Sequence, residues 1–138
     1  MTIDPINKKE KLFPNYSGSN ENLLVLVNKT TNILSNWFSD AEKIGPLPID
    51  INFKCTVPDE FGNPTDVLFS EIENLIYSSF NPVHPGALAH LDPPPLIISI
   101  LGDLIAAGLN NNLLANELSP SISLLEDSIC KWFSNKLG

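Results

Sequence analysis

The sequence predicts a mainly α protein of about four helices joined by a rigid proline-rich loop. Apolar residues recur at a spacing of three to four in four segments of the 138-residue chain, which is the pattern of amphipathic helices. Outside one short connector, no segment alternates polar and apolar residues as a half-buried strand does. The composition, 43% hydrophobic and 17% charged, is typical of a folded domain and excludes a wholly disordered chain.

The first helix is predicted from Glu21 to about Ser39. Residues 1–20 mix Lys, Asn, Pro, Ser and Gly with few apolar positions, so they are predicted to form a flexible arm ahead of it. Asn20 stands where a side chain can cap the first turn. The apolar face of this helix is formed by Leu23, Leu26, Val27, Ile33, Leu34, Trp37 and Phe38.

A connector and a second helix follow. Residues 45–64 are rich in proline and glycine and allow at most one short extended segment, at residues 49–53. The second helix is predicted to begin near Pro64 or Thr65, because proline is tolerated in a first turn, and to close at Asn81 before Pro82. Its predicted apolar face comprises Leu68, Ile72, Leu75, Ile76 and Phe80.

Residues 82–95 contain five prolines and predict an ordered, rigid loop, because proline fixes the backbone and removes hydrogen-bond donors. A third helix is predicted from Pro94 or Pro95 to Asn110. This helix is apolar around nearly its whole circumference, so it is expected to be buried on most sides. Gly102 and Gly108 would let another backbone come close to it.

The fourth helix is predicted to start at Ser119 and Pro120, a capping residue followed by a first-turn proline. Gly138 stands where a helix stop is expected. The predicted core-facing stripe of this helix comprises Leu125, Ile129, Trp132, Phe133 and Leu137.

Charge and hydropathy exclude several classes of function. Sixteen acidic residues oppose eight lysines, with no arginine, and the net charge of −8 argues against a nucleic-acid partner. The apolar runs are too short to span a bilayer. The first residues lack the apolar core of a secretory signal, so a cytoplasmic location is expected. In that reducing compartment Cys55 and Cys130 are expected to be free thiols.

Few residues form a recognisable chemical pattern on their own. His84, His90 and Asp92 could be imagined as metal ligands for hydrolysis, yet their spacing matches neither a helical pair nor a zinc ribbon. The alternative is that they satisfy backbone groups of the loop. Asp103 must find a donor or stay near solvent. Cys130, on the stripe side of the last helix, is expected to be a small buried apolar residue and not a nucleophile.

A series of short motifs in the second half of the chain carries a resemblance to a known family. The region resembles the N-terminal part of group II pyridoxal-phosphate-dependent decarboxylases, which include the aromatic amino acid, glutamate, cysteine sulfinate and 2,4-diaminobutyrate enzymes. Their order and spacing carry the resemblance, since each motif alone is weak. The motifs are His84-Pro85, 90–95 (HLDPPP), 101–104 (LGDL), 110–112 (NNN), 117–120 (ELSP), 125–126 (LE) and 131–133 (KWF).

The resemblance implies a place for this chain within a larger enzyme of fold type I. Residues 21–138 would be the helical N-terminal segment that wraps around a second subunit, as a homodimer or with a complementary decarboxylase fragment. The cofactor of the complete enzyme would be pyridoxal 5'-phosphate. In the family its phosphate-binding segment, its pyridine-binding aspartate and its Schiff-base lysine all come later than the region resembled here. No catalytic or cofactor-binding residue is therefore assigned in this chain.

The resemblance also implies residues that contact an amino acid substrate. The loop containing His90, Leu91, Asp92 and Pro93 would line the substrate entrance. The turn with Asn112 and Leu114 would approach the site across the dimer interface. Aromatic amino acid decarboxylases carry aromatic residues where this chain has His90, Leu91, Leu114 and Asn116. A glutamate-like or diaminobutyrate-like substrate is therefore favoured over a large flat one.

Two hypotheses of different classes stay open at this point. In the first, the chain is the substrate-side and dimerisation portion of a decarboxylase, inactive alone. In the second, it is a stand-alone helical interaction module that pairs with decarboxylase subunits and caps or inhibits them. Under either hypothesis the isolated chain is expected to dimerise, aggregate or remain partly unfolded, because its third and fourth helices carry more apolar surface than the chain can hide.

Overall fold

The computed structural model describes residues 14, 16–48, 62–88, 91 and 93–138. These residues form helices and turns, with no strand among them, so the predicted mainly α class is confirmed. The chain divides into two compact units, Met1–Pro94 and Pro95–Gly138. The five helices are α1 (Glu21–Ser39), α2 (Ala41–Ile44), α3 (Thr65–Tyr77), α4 (Ile97–Leu109) and α5 (Pro120–Leu137). The extended segment predicted at residues 49–53 lies outside the described residues.

Helix α1 has the predicted bounds but not the predicted cap. Asn20 occupies the capping position, and its backbone carbonyl accepts a hydrogen bond from the Leu24 N–H at 3.2 Å. Its side chain does not make the predicted capping hydrogen bond. The single turn of α2 was not predicted, because four residues are too few to show a helical periodicity. It is followed by Gly45, whose φ of +86° lies in the left-handed region that favours glycine.

Helix α3 begins at Thr65 as predicted, with Pro64 immediately before it. The predicted apolar face is wrong in part. Phe69 is the buried residue of this helix, whereas Leu68 and Leu75 are about half exposed. The reason is that α3 packs on α1 through a face rotated toward Phe69, which brings Ile72 and Ile76 to half-buried positions.

The core of the first unit lies between α1 and α3. Ile33 and Trp37 of α1 are one helical turn apart, and they are buried together with Ala41 of α2 and Phe69 of α3. The ammonium of Lys29 lies 4.2 Å from the centroid of the Phe69 ring, within the range of a cation–π contact. Lys29 therefore covers the outer side of this small core.

The second unit contains α4 and α5, and these two helices do not pack against each other. The expectation that α4 is buried is therefore wrong: none of its residues is buried, and Ile97 is 81% exposed. The predicted core-facing stripe of α5 is also exposed, with Trp132 at 56% and Leu137 at 84%. The physical reason is that apolar residues are buried only where a neighbour covers them, and each helix lacks one in this unit. The start of α5 at Pro120, after Ser119, is as predicted.

Candidate functional site

The turn that follows α3 is held by one buried amide side chain. Asn81 is 1% exposed, and its Nδ2 donates a hydrogen bond to the carbonyl of Trp37 at 3.0 Å. Its backbone N–H donates to the carbonyl of Pro46 at 2.9 Å. Its Oδ1 accepts from the N–H of Val83 at 3.1 Å. Asn81 therefore joins the end of α1, the segment after α2 and the beginning of the proline-rich loop.

His84 shapes the next turn of this loop. Its Nδ1 accepts a hydrogen bond from the Gly86 N–H at 2.8 Å, and its carbonyl accepts from the Ala87 N–H at 2.9 Å. In the neutral imidazole the proton must then reside on Nε2. A Cβ on Gly86 would lie 3.0 Å from two ring atoms of His84. His84 thus satisfies loop backbone, as the alternative to the metal hypothesis predicts.

The predicted substrate-entrance residues follow this turn. Leu91 is 97% exposed and Pro93 is also exposed, so neither side chain packs into the first unit. His90 and Asp92 lie outside the described residues. Exposure of Leu91 and Pro93 leaves both side chains accessible to a ligand or a partner, and their role in substrate contact stays a prediction.

The second predicted substrate region is a turn between α4 and α5. Asn110 ends α4 in the left-handed conformation, with a φ of +43°. Asn112 is exposed, and its Oδ1 accepts a hydrogen bond from the Leu114 N–H at 2.9 Å. Leu114 is 91% exposed. The structure therefore brings Asn112 and Leu114 together in one local turn, and their contact with substrate stays a prediction.

A shallow groove of about 380 Å³ lies beside the start of α5. Ser119, which precedes the lining residue Pro120 in the sequence, is fully buried. The Oγ atoms of Ser119 and Ser123 are buried without a hydrogen-bond partner. Ser119 was predicted to cap α5, yet its side chain makes no capping hydrogen bond. The groove is lined by Asn116, Pro120, Ser123, Leu124 and Asp127.

Two surface ion pairs stand among the ionisable groups of the described residues. Lys43 and Asp40 form an ion pair at 2.6 Å, in which the hydrogen bond to Asp40 and its negative charge raise the pKa of Lys43. Lys131 pairs with Asp127 at 2.5 Å. Cys130 is a free and exposed thiol, so the expectation that it is buried is wrong: α5 has no neighbour on that side.

The described ranges hold neither a metal-ligand cluster nor a membrane-spanning helix. No group of three or more His, Cys, Asp or Glu side chains is placed there to hold a metal ion. Of the three ligands in the metal hypothesis, only His84 belongs to these ranges, and its Nδ1 is already engaged by Gly86. Nor does any helix in the described part of the chain combine the length and the apolar character needed to cross a bilayer.

Comparison with known proteins gives a partial similarity. No protein-family model matches the chain. The L-2,4-diaminobutyrate decarboxylase of Acinetobacter baumannii is 30% identical over 67 residues, which cover 49% of this chain and 13% of that protein. The match is local and spans a small fraction of the relative. It indicates that this chain contains a region related to part of a decarboxylase.

Proposed function

We propose that this chain is the N-terminal, substrate-side and dimerisation portion of a pyridoxal-phosphate-dependent amino acid decarboxylase and is inactive alone. The observation that carries the proposal is the local similarity to an L-2,4-diaminobutyrate decarboxylase. That similarity also favours a short amino acid with a polar side chain as the substrate, in agreement with the lack of aromatic residues at Leu91, Leu114 and Asn116.

We assign no cofactor contact to the lysines of the described residues. Lys29 lies over the Phe69 ring, Lys43 and Lys131 are engaged in surface ion pairs, and Lys136 lies in the last turn of α5. None of these lysines lines the groove beside α5. We therefore assign no cofactor contact and no chemical step to these residues. In the proposed enzyme, the cofactor and its lysine belong to another part of the assembly.

The exposed apolar surface of α4 supports a role in assembly. Leu104 and Leu109 are five residues apart, so they point to different sides of the helix, and they are 45% and 50% exposed. Asp103 is the one ionisable residue of α4. One neighbouring helix cannot cover an apolar surface that extends so far around the circumference. The proposal is therefore that α4 is buried between elements of a second subunit or of a complementary decarboxylase fragment.

The proposal is tested by complementation. The A. baumannii L-2,4-diaminobutyrate decarboxylase is truncated to remove the segment similar to this chain and is mixed with the full 138-residue chain and pyridoxal phosphate. Release of carbon dioxide from L-2,4-diaminobutyrate is expected from the mixture and from neither component alone. Failure of the two proteins to co-elute in gel filtration would contradict the proposal.

The same mixture distinguishes the interaction-module hypothesis. The chain is also titrated into the untruncated A. baumannii enzyme. Inhibition that saturates at a fixed stoichiometry, together with no rescue of the truncated enzyme, would favour a module that caps decarboxylase subunits. Rescue without inhibition would favour the enzyme portion.

A further inference from the structure

We propose that Asn81 is the positioning residue that fixes the direction in which the proline-rich loop leaves α3. One part of the inference rests on the proposed function, namely that the loop lies at the substrate entrance. The anchoring itself is a property of this chain. Asn81 makes contact through both ends of its side chain amide and through its backbone N–H, with segments that are far apart in sequence.

The long-range contact is the hydrogen bond from Asn81 Nδ2 to the Trp37 carbonyl, which joins residues 44 positions apart. Trp37 is 7% exposed and belongs to the core between α1 and α3. The loop is therefore tied to the core by the residue that immediately precedes it. A buried amide without a hydrogen-bond partner pays the full free-energy cost of desolvation. The bond to Trp37 therefore restricts the position of the Asn81 side chain.

The short-range contacts pass this constraint along the loop. Asn81 Oδ1 accepts from the Val83 N–H, and the Asn81 carbonyl accepts from the His84 N–H at 3.3 Å. His84 in turn holds Gly86 and Ala87 through its Nδ1 and its carbonyl. Each bond orients the next turn. The orientation of residues 82–88, which lead to Leu91 and Pro93, thus begins at the Asn81 amide.

Asparagine is the residue type that this position requires. Its short side chain offers a donor to Trp37 and an acceptor to Val83 at the same time. An ionised aspartate keeps the acceptor but has no donor, and it would place a negative oxygen against the Trp37 carbonyl. When that carboxylate is protonated it regains a donor, and burial raises its pKa. Asn81→Asp therefore removes the bond to Trp37 while it keeps the acceptor for Val83. It also makes the bond to Trp37 depend on pH.

The test is hydrogen exchange of the full chain, read as protection factors for the non-proline amides within residues 82–88. Asn81→Ala is expected to lower protection there by about tenfold or more, because both side-chain bonds are lost. Asn81→Asp is expected to lower it at about pH 7 and to restore much of it at about pH 5.5. Asn112→Ala serves as the matched control, since Asn112 makes the same kind of local turn to Leu114 without a long-range bond. It should leave residues 82–88 unchanged.

Three results would overturn the inference. One is unchanged protection of residues 82–88 in Asn81→Ala. Another is an equal loss of protection throughout α1 and α3 in both Asn81 variants, which would make Asn81 a general stability residue. The third is absence of the pH-dependent recovery in Asn81→Asp when wild type and Asn81→Ala are measured at the same two pH values. None of these measurements uses enzyme activity, so they are independent of the complementation result.

If complementation succeeds, the substrate side of the inference can be read directly. Asn81→Asp is expected to raise KM for L-2,4-diaminobutyrate more than it lowers kcat, because a misdirected entrance loop weakens substrate capture before chemistry. A fall in kcat with unchanged KM would contradict the placement of this loop at the substrate entrance. It would leave the hydrogen-exchange result for the anchor intact.

Discussion

At the scale of single residues, the loop after α3 depends on side chains that bond to backbone. Asn81 and His84 each replace the regular hydrogen bonds that prolines prevent in this segment. Both bonds are local, but only Asn81 is also tied to the core. The two residues therefore have different roles. Asn81 fixes the start of the loop, and His84 fixes the conformation of its next turn.

The first prediction concerns Gly86 and its hydrogen bond to His84. Gly86→Ala should destabilise the first unit slightly, since the added Cβ would lie 3.0 Å from the His84 ring and push it away from its bond. The lost bond is worth about 1 kcal/mol, against a gain of about 0.5 kcal/mol from a less flexible unfolded chain. In a His84→Ala background the clash is absent, so the same substitution should become neutral or stabilising.

Urea unfolding of the four variants in this cycle measures the effect as a change in midpoint at constant slope. A Gly86→Ala effect of the same sign and size in both backgrounds would show that His84 does not constrain Gly86.

At the scale of elements, α1 and α3 stabilise one another through a small apolar contact. Phe69 is the one buried residue of α3, and Lys29 of α1 covers its ring. Because so few residues are buried here, each contributes a large share of the stability of this helix pair.

The second prediction follows from this contact. Phe69→Ala should lower the free energy of unfolding of the first unit by about 3 kcal/mol, because a large ring leaves a cavity. Lys29→Met keeps the aliphatic stem but removes the cation, and should cost about 0.5–1 kcal/mol. The two losses should be less than additive, since Lys29 has no ring to contact once Phe69 is gone.

Circular dichroism during thermal unfolding gives both values. Lys131→Met is the control: it also removes an exposed lysine, but from the Asp127 pair of the second unit. Fully additive losses for Phe69→Ala and Lys29→Met would mean that the ammonium and the ring do not interact.

The extent to which these elements can be predicted from sequence depends on how local their signals are. The starts of α3 and α5 were predicted because Pro64 and the Ser119-Pro120 pair act within one turn. The role of Asn81 was not predicted, because its decisive partner lies 44 residues away. The predicted Asn20 and Ser119 caps were wrong in their side-chain bonds, although both residues occupy the expected position.

Burial was the least predictable property, because it depends on contacts between residues that are far apart in sequence. The apolar pattern of α4 correctly predicted a helix but wrongly predicted its burial, since covering a helix requires neighbours that α5 does not supply. The candidate substrate residues were predictable only through a family resemblance. Asn112 and Leu114 do share a turn, yet nothing in their local geometry specifies a ligand.

At the scale of the whole molecule, two opposing forces act on association. The second unit exposes apolar side chains along both helices, which favours contact with another surface. The chain also carries a net charge of −8 at pH 7, which makes copies repel one another. The balance between these forces decides whether the isolated chain is monomeric under a given condition.

The third prediction is that self-association rises as pH falls from 7 toward the isoelectric point near 4.5, and that added salt at pH 7 has the same direction of effect. Protonation of carboxylates removes the repulsion in the first case, and ions screen it in the second. Sedimentation velocity measures the distribution of species. Circular dichroism at each pH separates association of folded chains from acid unfolding.

Two substitutions in α4 test whether this helix is the surface through which the chain associates. Ile105→Gln should weaken association by about tenfold or more, because it removes one exposed apolar anchor without disturbing packing inside the chain. Asp103→Asn on the same helix should strengthen association, because it removes the one ionisable group of α4. Since the two residues are two positions apart and both are exposed, general effects on helix stability should be similar for both variants. A shift in the same direction for both, or a monomer at every pH and salt concentration, would show that α4 is not the surface through which this chain assembles.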